Sequence, residues 1–233
     1  GEPTKNGKEI FGFASPLQIR SKNCYHISMS KADFKKTLDC YKAKHNVFRI
    51  VDVPKLQYLM IDGHGDPNTS NEFDGAIAAL YPIAYKLKFA SKLELKKDYT
   101  VMPLEGLWWS DDMETFTSAR NKSKWDWTLM IMQPDWVTKK MFETAVTKVA
   151  EKDAPASVSK VRLETLDEGK CAQTLHIGSY DDEAKILAKM HDEFIPSNKL
   201  KMVKKHHEIY LSDPRKTPPQ KMKTILRQPV KNK

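Results

Sequence analysis

The 233-residue chain has few cysteines and no long apolar run. Its three cysteines, Cys24, Cys40 and Cys171, are widely spaced and form no CxxC pair. This pattern argues against a disulfide framework and favours reduced thiols in the cytoplasm. No run of 18 apolar residues occurs, so we expect neither a membrane span nor a membrane partner. We also expect no secretory leader, because no charged segment followed by an apolar one opens the chain.

The common catalytic motifs are missing as well. HExxH does not occur, and the histidines lack the spacing of a zinc site. His206 and His207, beside Lys205, are typical of a surface pair. Gly63 and Gly65 lack the third glycine of a phosphate-binding loop, and no GxSxG elbow occurs. We therefore expect no metal and no cofactor.

Positive charge exceeds negative charge, with 39 Lys and Arg against 30 Asp and Glu, and much of the excess lies in 199–233. A basic surface can bind nucleic acid. However, aromatic residues do not interleave with these lysines, and no helix-turn-helix motif occurs. The pattern favours a solvated basic face over a nucleic-acid partner, and it predicts no oligomeric state.

Two predicted strands each carry a glutamate among apolar residues, namely 99–109 with Glu105 and 206–211 with Glu208. A charge inside an apolar strand is costly unless it faces water, a partner or a ligand. A solvent-facing edge strand explains one such glutamate. Two of them indicate a duplicated unit with carboxylates and aromatics around one cavity. Strict alternation places Glu105 on the face of Trp109, whereas a bulge at Gly106 places it with Trp108.

The order of predicted elements repeats once. The first half runs strand 57–62, helix 71–89, strand 99–109 and strand 125–132, followed by a helix to about 151. The second half runs strand 171–177, a helix after Ser179, strand 206–211 and strand 222–228. We expect an α+β fold of two pseudo-symmetric strand-helix-strand-strand units with a central ligand cleft, within halves at 29–152 and 158–230. Residues 1–28 show no sustained pattern, and 31–45 can form a short helix.

Aromatic residues concentrate around these strands and helices. Tyr81 and Tyr85 lie four apart on one helix, either as boundary residues or as the wall of a cavity beside the sheet. Indole and phenol rings stack on flat ligands, and each pair adds roughly 0.5–1.5 kcal/mol beyond area burial. The candidate ligand contacts are Trp108, Trp109, Trp127, Tyr81, Tyr85, Tyr180 and Tyr210.

The order of segments and several short motifs carry a resemblance to a known family. The motifs are MIDG at 60–63, DPN at 66–68, PLEGLWW at 103–109, WDW at 125–127, HIGSY at 176–180 and EIYLSDP at 208–214. Over about residues 50–230 the chain resembles the GyrI-like small-molecule-binding family, and the last motif matches the Glu-x-Tyr-x-x-Asp-Pro pattern of its C-terminal unit. The resemblance implies a cleft for planar, often cationic xenobiotics, with Glu208 as a buried ligand contact.

The tryptophan-rich first half also resembles a stand-alone subfamily of cyclopropanoid cyclopropyl hydrolases. That resemblance implies an aromatic cage in which water opens the cyclopropane ring of DNA-alkylating compounds. Glu105 or Glu208 is then the candidate base, and Tyr85, Tyr210 or Trp108 the candidate donor to the developing oxyanion. Glu183 is expected to be a solvated first-turn residue. The alternative is a drug-binding protein without turnover.

Overall fold

The computed structural model describes residues 30–110, 121–152 and 155–233. The expectation for 1–28 and the polar connection through Asp111, Asp112 and Arg120 lie outside the described residues. None of the helices in the described ranges has the length and apolarity needed to cross a bilayer.

Nine antiparallel strands form the sheet of the described chain. They are β1 Arg49–Val53, β2 Leu56–His64, β3 Glu105–Trp109, β4 Asp126–Gln133, β5 Arg162–Leu166, β6 Gly169–Ile177, β7 Leu200–Met202, β8 His206–Tyr210 and β9 Lys223–Asn232. Their order is β1-β6-β9-β8-β3-β4-β2-β5, with β7 paired to β9. From the central β3–β8 pair outwards, β4-β2 on one side mirrors β9-β6 on the other. The predicted α+β class is confirmed.

Helices lie between these strands. They are α1 Phe34–Thr37, α2 Asn71–Glu94, α3 Lys139–Ala150 and α4 Glu183–Ala188, which continues through a π-helical stretch, Lys189–Phe194, and a last turn, Ile195–Ser197. The helix expected over 31–45 is wrong in length. Leu38 adopts an extended backbone that ends α1, and the following turn buries Cys40 and Tyr41 under the sheet.

Helix α2 packs against the strands of the first unit. Ser70 caps it by accepting from the backbone N–H of Phe73. Its buried side includes Ala76, Leu80, Ile83 and Leu87, each 0% exposed, as the 3,4 spacing predicts. The helix runs past the predicted end at 89 to Glu94, with Pro82 inside it. Buried residues in both halves of α2 therefore hold this helix against the protein core.

The pairing of β3 decides which side chains share a face. Gly106 lies opposite Leu129 in β4 and opposite Glu208 in β8, in continuous antiparallel register. The bulge alternative is therefore wrong, and strict alternation applies. Since directly opposed residues point to the same side, Trp108, Glu208 and Tyr210 share one face, which we call the front face. Glu105 and His207 occupy the other, the back face.

Candidate functional site

A cavity of about 1400 Å³ lies over the front face between α2 and α4. Both units line it. The first unit contributes Trp108, and the second contributes Glu208 and Tyr210 from β8 and Glu183 from α4. Ligand sites in proteins typically measure about 300–1,000 Å³. This cleft is therefore large enough for an extended organic molecule.

A hydrogen-bonded chain crosses the floor of the cleft from one unit to the other. Trp108 Nε1 donates to Tyr210 Oη at 2.9 Å, and Tyr210 Oη donates to Glu208 Oε2 at 2.8 Å. Gly106 lies directly beneath. A Cβ there would lie 2.8 Å from Trp108 Nε1 and 3.0 Å from Tyr210 Oη. Glycine at this position leaves the space in which the indole and the phenol meet.

The Glu208 carboxylate is the best-placed acceptor of the cleft. Its side chain is 14% exposed, and Oε1 lies 3.4 Å from His206 Nε2. Burial, followed by the charge and hydrogen bond of Glu208, raises the pKa of Tyr210 well above its usual range. Tyr210 therefore keeps its proton and holds the carboxylate, which leaves Glu208 able to accept from a ligand or from water.

Aromatic rings form the cleft walls. Trp108 stacks on Phe73 with centroids 6.1 Å apart and meets Trp125 edge to face at 5.8 Å. Tyr180 meets Tyr210 edge to face at 5.7 Å. Five predicted contacts line the cavity, namely Trp108, Tyr81, Tyr85, Tyr180 and Tyr210. Phe73 and Trp125 line it too and were not predicted.

Two predicted contacts, Trp109 and Trp127, lie elsewhere. Trp109 follows the alternation onto the back face, where the Lys205 ammonium lies 3.1 Å from its ring centroid. Trp127 is fully buried beneath Phe73, at 5.2 Å between centroids. A Cβ on Gly63 would lie 2.1 Å from its ring. Trp127 is therefore a core residue that supports the cleft wall from behind.

The expectation that Glu105 lies beside the cleft indoles is wrong. Glu105 is 0% exposed on the back face. Its Oε1 accepts from Tyr41 Oη at 2.6 Å, and its Oε2 faces His207 Nε2 at 2.9 Å. Because the sheet itself separates Glu105 from the front face, this carboxylate cannot touch a ligand in the cleft.

His207 and Glu105 belong to a buried charge network. His207 Nδ1 lies 2.9 Å from Glu168 Oε1, and Arg227 Nη1 donates to Glu168 Oε2 at 2.9 Å. Burial alone would lower the pKa of His207, but the charge of Glu168 and the hydrogen bonds to both carboxylates raise it. Burial would likewise raise the pKa of Glu168, yet His207 and Arg227 lower it to about 2. The predicted surface pair His206 and His207 is instead buried.

Glu183 is the main group that the sequence reasoning missed. It was expected in solvent, but it is 4% exposed and lines the cleft. The signal was present in the sequence, because Glu183 extends the buried helical spacing of Ile186 and Met190 by one turn. His191, about two turns after Glu183, also lines the cleft. Burial and the charge of His206 lower the pKa of His191 to about 4, so its imidazole is neutral at pH 7.

Comparison with known proteins agrees with this architecture. A model of the GyrI-like small molecule binding domain matches residues 47–231. The chain belongs to this family. The GyrI-like match includes both halves of the cleft, and the resemblance noted in the sequence is confirmed. No curated protein matches the chain, and among the described residues no group of three or more His, Cys, Asp or Glu side chains could hold a metal ion.

Solved structures of proteins from Listeria innocua are similar over most of this chain. An uncharacterised conserved protein is 40% identical, with a TM-score of 0.77, over 86% of this chain and 100% of its own. A protein described as a hydrolase is 38% identical, with a TM-score of 0.75, over 86% of this chain and 100% of its own. A second protein described as a hydrolase is 40% identical, with a TM-score of 0.76, over 87% of this chain and 100% of its own.

Proposed function

We propose that this GyrI-like chain is a cytoplasmic detoxifying hydrolase that adds water to reactive cyclopropane-type DNA-alkylating compounds. Its ligands are flat hydrophobic or cationic xenobiotics bound in the aromatic cleft. The observation that carries the proposal is the chain from Trp108 through Tyr210 to Glu208, which holds a carboxylate among aromatic rings in a large cavity. The hydrolases from Listeria innocua, at 38% and 40% identity, support it.

Binding follows from the lining of the cleft. Trp108, Trp125 and Tyr180 present aromatic faces and edges to a flat molecule, and each stacked pair contributes roughly 0.5–1.5 kcal/mol beyond area burial. A cation over such rings gains a further ~0.5–2 kcal/mol. Glu183 and Glu208 add negative charge on the side of the second unit. The cleft therefore accepts neutral and cationic planar ligands.

Catalysis needs a base that can reach water beside the bound electrophile. Glu208 accepts a proton from water, and the water oxygen forms a bond to a methylene carbon of the cyclopropane. The ring C–C bond breaks, and its electron pair moves through the conjugated system to the carbonyl oxygen. Tyr210 acts as a positioning residue because its hydroxyl fixes one oxygen of the base. Glu208 then releases its proton to solvent and the product oxygen takes one from solvent, so the sum is substrate plus water giving a ring-opened alcohol.

The test is turnover of an indole-fused spirocyclopropyl cyclohexadienone in large excess, followed by mass spectrometry. We expect many turnovers of a product heavier by one water. Glu208→Gln should lower kcat by about 10²–10⁴, the usual range for loss of a general base. Glu143→Gln, an exposed glutamate of α3, is the matched control and should leave kcat unchanged.

A second candidate function is drug sequestration or regulation without turnover. It is favoured by the hydrogen bond from Tyr210 to Glu208, because a carboxylate that already accepts this bond is a weaker base towards water. In that case the compound would remain unchanged while tryptophan fluorescence is quenched saturably. Glu208→Gln would then weaken binding of cationic ligands and leave neutral ones unaffected.

A further inference from the structure

The hydrogen bonds of the cleft leave one catalytic role unfilled. Trp108 has a single N–H, which goes to Tyr210, and Tyr210 has a single O–H, which goes to Glu208. Neither donor can bond a ligand unless one of these two hydrogen bonds breaks. Opening the ring places negative charge on the carbonyl oxygen, and such charge is best stabilised by a preorganised donor. That donor must come from another side chain of the cleft.

Tyr180 lines the same cavity, next to the phenol that is already engaged. Its ring meets Tyr210 edge to face at 5.7 Å. Within the described part of the chain, no hydrogen bond engages the Tyr180 hydroxyl. A phenol that contacts Tyr210 and keeps a free O–H is placed to donate beside Glu208.

The turn that carries Tyr180 is pinned on several sides. Gly178 has a φ of +152°, and a Cβ there would lie 2.9 Å from His176 Nε2. That same ring nitrogen lies 2.9 Å from the backbone oxygen of Ser179. Ser179 Oγ donates to Asp182 Oδ2 at 2.6 Å. The phenol therefore projects from a fixed backbone, as electrostatic preorganisation requires.

The surroundings of Tyr180 keep its hydroxyl protonated. Burial, followed by the negative charges of Glu183 and Glu208, raises the pKa of Tyr180 to about 12. At neutral pH the side chain is thus a neutral donor, and the same carboxylates disfavour its ionisation. The chemistry matches a group that donates to an oxyanion.

We propose that Tyr180 is the catalytic hydrogen-bond donor to the carbonyl oxygen of the substrate, an assignment that rests on the proposed hydrolysis. Glu208 takes one proton from the attacking water as the C–O bond forms and the ring C–C bond breaks. Tyr180 donates a hydrogen bond to the oxygen that receives the electron pair and keeps its own proton. Glu208 then releases its proton to solvent and the product oxygen takes one from solvent, so both groups are restored. The substrate class is a flat aromatic compound with a cyclopropane conjugated to a carbonyl.

The first experiment measures kcat and ligand affinity separately. Tyr180→Phe removes only the hydroxyl, and we expect kcat on the spirocyclopropyl cyclohexadienone to fall about 10²–10³-fold, as for loss of one oxyanion donor. Affinity from tryptophan quenching should stay within about threefold, because the stacking ring remains. Tyr99→Phe is the matched control. Its hydroxyl bonds Gln133 at 3.1 Å, away from the cleft, so kcat should be unchanged.

An unchanged kcat in Tyr180→Phe would overturn the assignment. If His191→Phe lowers kcat instead, the role of donor passes to the neutral imidazole of the cleft. Circular dichroism of each variant checks that the fold is retained.

A binding experiment tests the Tyr180 proposal separately from the hydrolase proposal. If the wild-type protein turns nothing over, the hydrolysis fails, and the Tyr180 donor is then tested with acetonaphthone and ethylnaphthalene. These two flat probes differ by one carbonyl oxygen. A working donor makes the wild-type protein prefer acetonaphthone by about two- to tenfold, since a hydrogen bond contributes roughly 0.5–1.5 kcal/mol, and Tyr180→Phe abolishes the preference. Equal affinities in the wild-type protein would refute the donor.

Discussion

Glu105→Gln separates a structural carboxylate from a catalytic one. Both oxygens of Glu105 are engaged, by Tyr41 at 2.6 Å and by His207 at 2.9 Å, at 0% exposure. Glutamine keeps the shape but presents an amide N–H₂ to one of two donors, and it removes the charge beside protonated His207. Breaking a buried ion pair by changing one partner costs about 3–5 kcal/mol. We expect the free energy of unfolding to fall by about 3 kcal/mol, since the amide oxygen keeps one bond.

The assay is urea unfolding followed by tryptophan fluorescence. With a slope of about 2 kcal/mol per molar urea, a loss of that size lowers the midpoint by roughly 1.5 M. The control Glu143→Gln should lower the free energy of unfolding by less than about 0.5 kcal/mol, because exposed ion pairs contribute little. Turnover below the midpoint should persist in Glu105→Gln. An unchanged midpoint together with lost turnover would refute the back-face placement of Glu105.

Three further predictions concern the same framework. The raised pKa of His207 adds stability that is complete below its ordinary 6.5 and is lost as the pH rises through the raised value. The lowered pKa of Glu168 adds stability above its ordinary 4.5 that is lost as the pH falls towards about 2. Urea midpoints should therefore be highest between pH 4.5 and 6.5 and fall on either side of that range. Gly106→Ala should separate the indole from the phenol beneath the cleft and lower kcat at least about tenfold, measured by the product assay. Gly63→Ala should destabilise the fold by about 2 kcal/mol in the same urea titration, because its Cβ would lie 2.1 Å from the Trp127 ring.

Periodicity predicted the larger part of the fold. The 3,4 spacing of Leu80 and Leu87 identified α2, and alternating apolar residues identified the strands of both units. The motif from Glu208 to Pro214 located the acidic residue on the floor of the cleft. These features depend on neighbours close in sequence, so the sequence alone could show them.

The face of Glu105 could not be read from the sequence. A bulge at Gly106 and a regular strand both suit a glycine, and the two place Glu105 on opposite sides of the sheet. Only the pairing of β3 with β4 and β8 decides between them, and a shift of one residue moves every side chain to the other face. The partners of Glu105 on the back face, Tyr41 and His207, lie 64 and 102 residues away. No local pattern connects them.

The prediction that Glu183 lies in solvent was wrong for a different reason. An acid in the first turn of a helix is favoured by the helix dipole whether it faces water or a cavity, so the dipole argument could not separate the two. The spacing to Ile186 and Met190 could, because residues three and seven apart share a face with the buried side of α4. The formal net charge of +9 misleads in the same way. It describes the whole surface, whereas a ligand meets the charges of the cleft, where a charge acts more strongly than it does in water. Glu183, at 4% exposure, and Glu208, with a side chain 14% exposed, are buried carboxylates of the cleft, whereas Lys122 and Arg215, which also line it, are more exposed. The charge preference of a ligand therefore has to be predicted from the lining of the cleft and its burial, and the net charge of the chain does not give it.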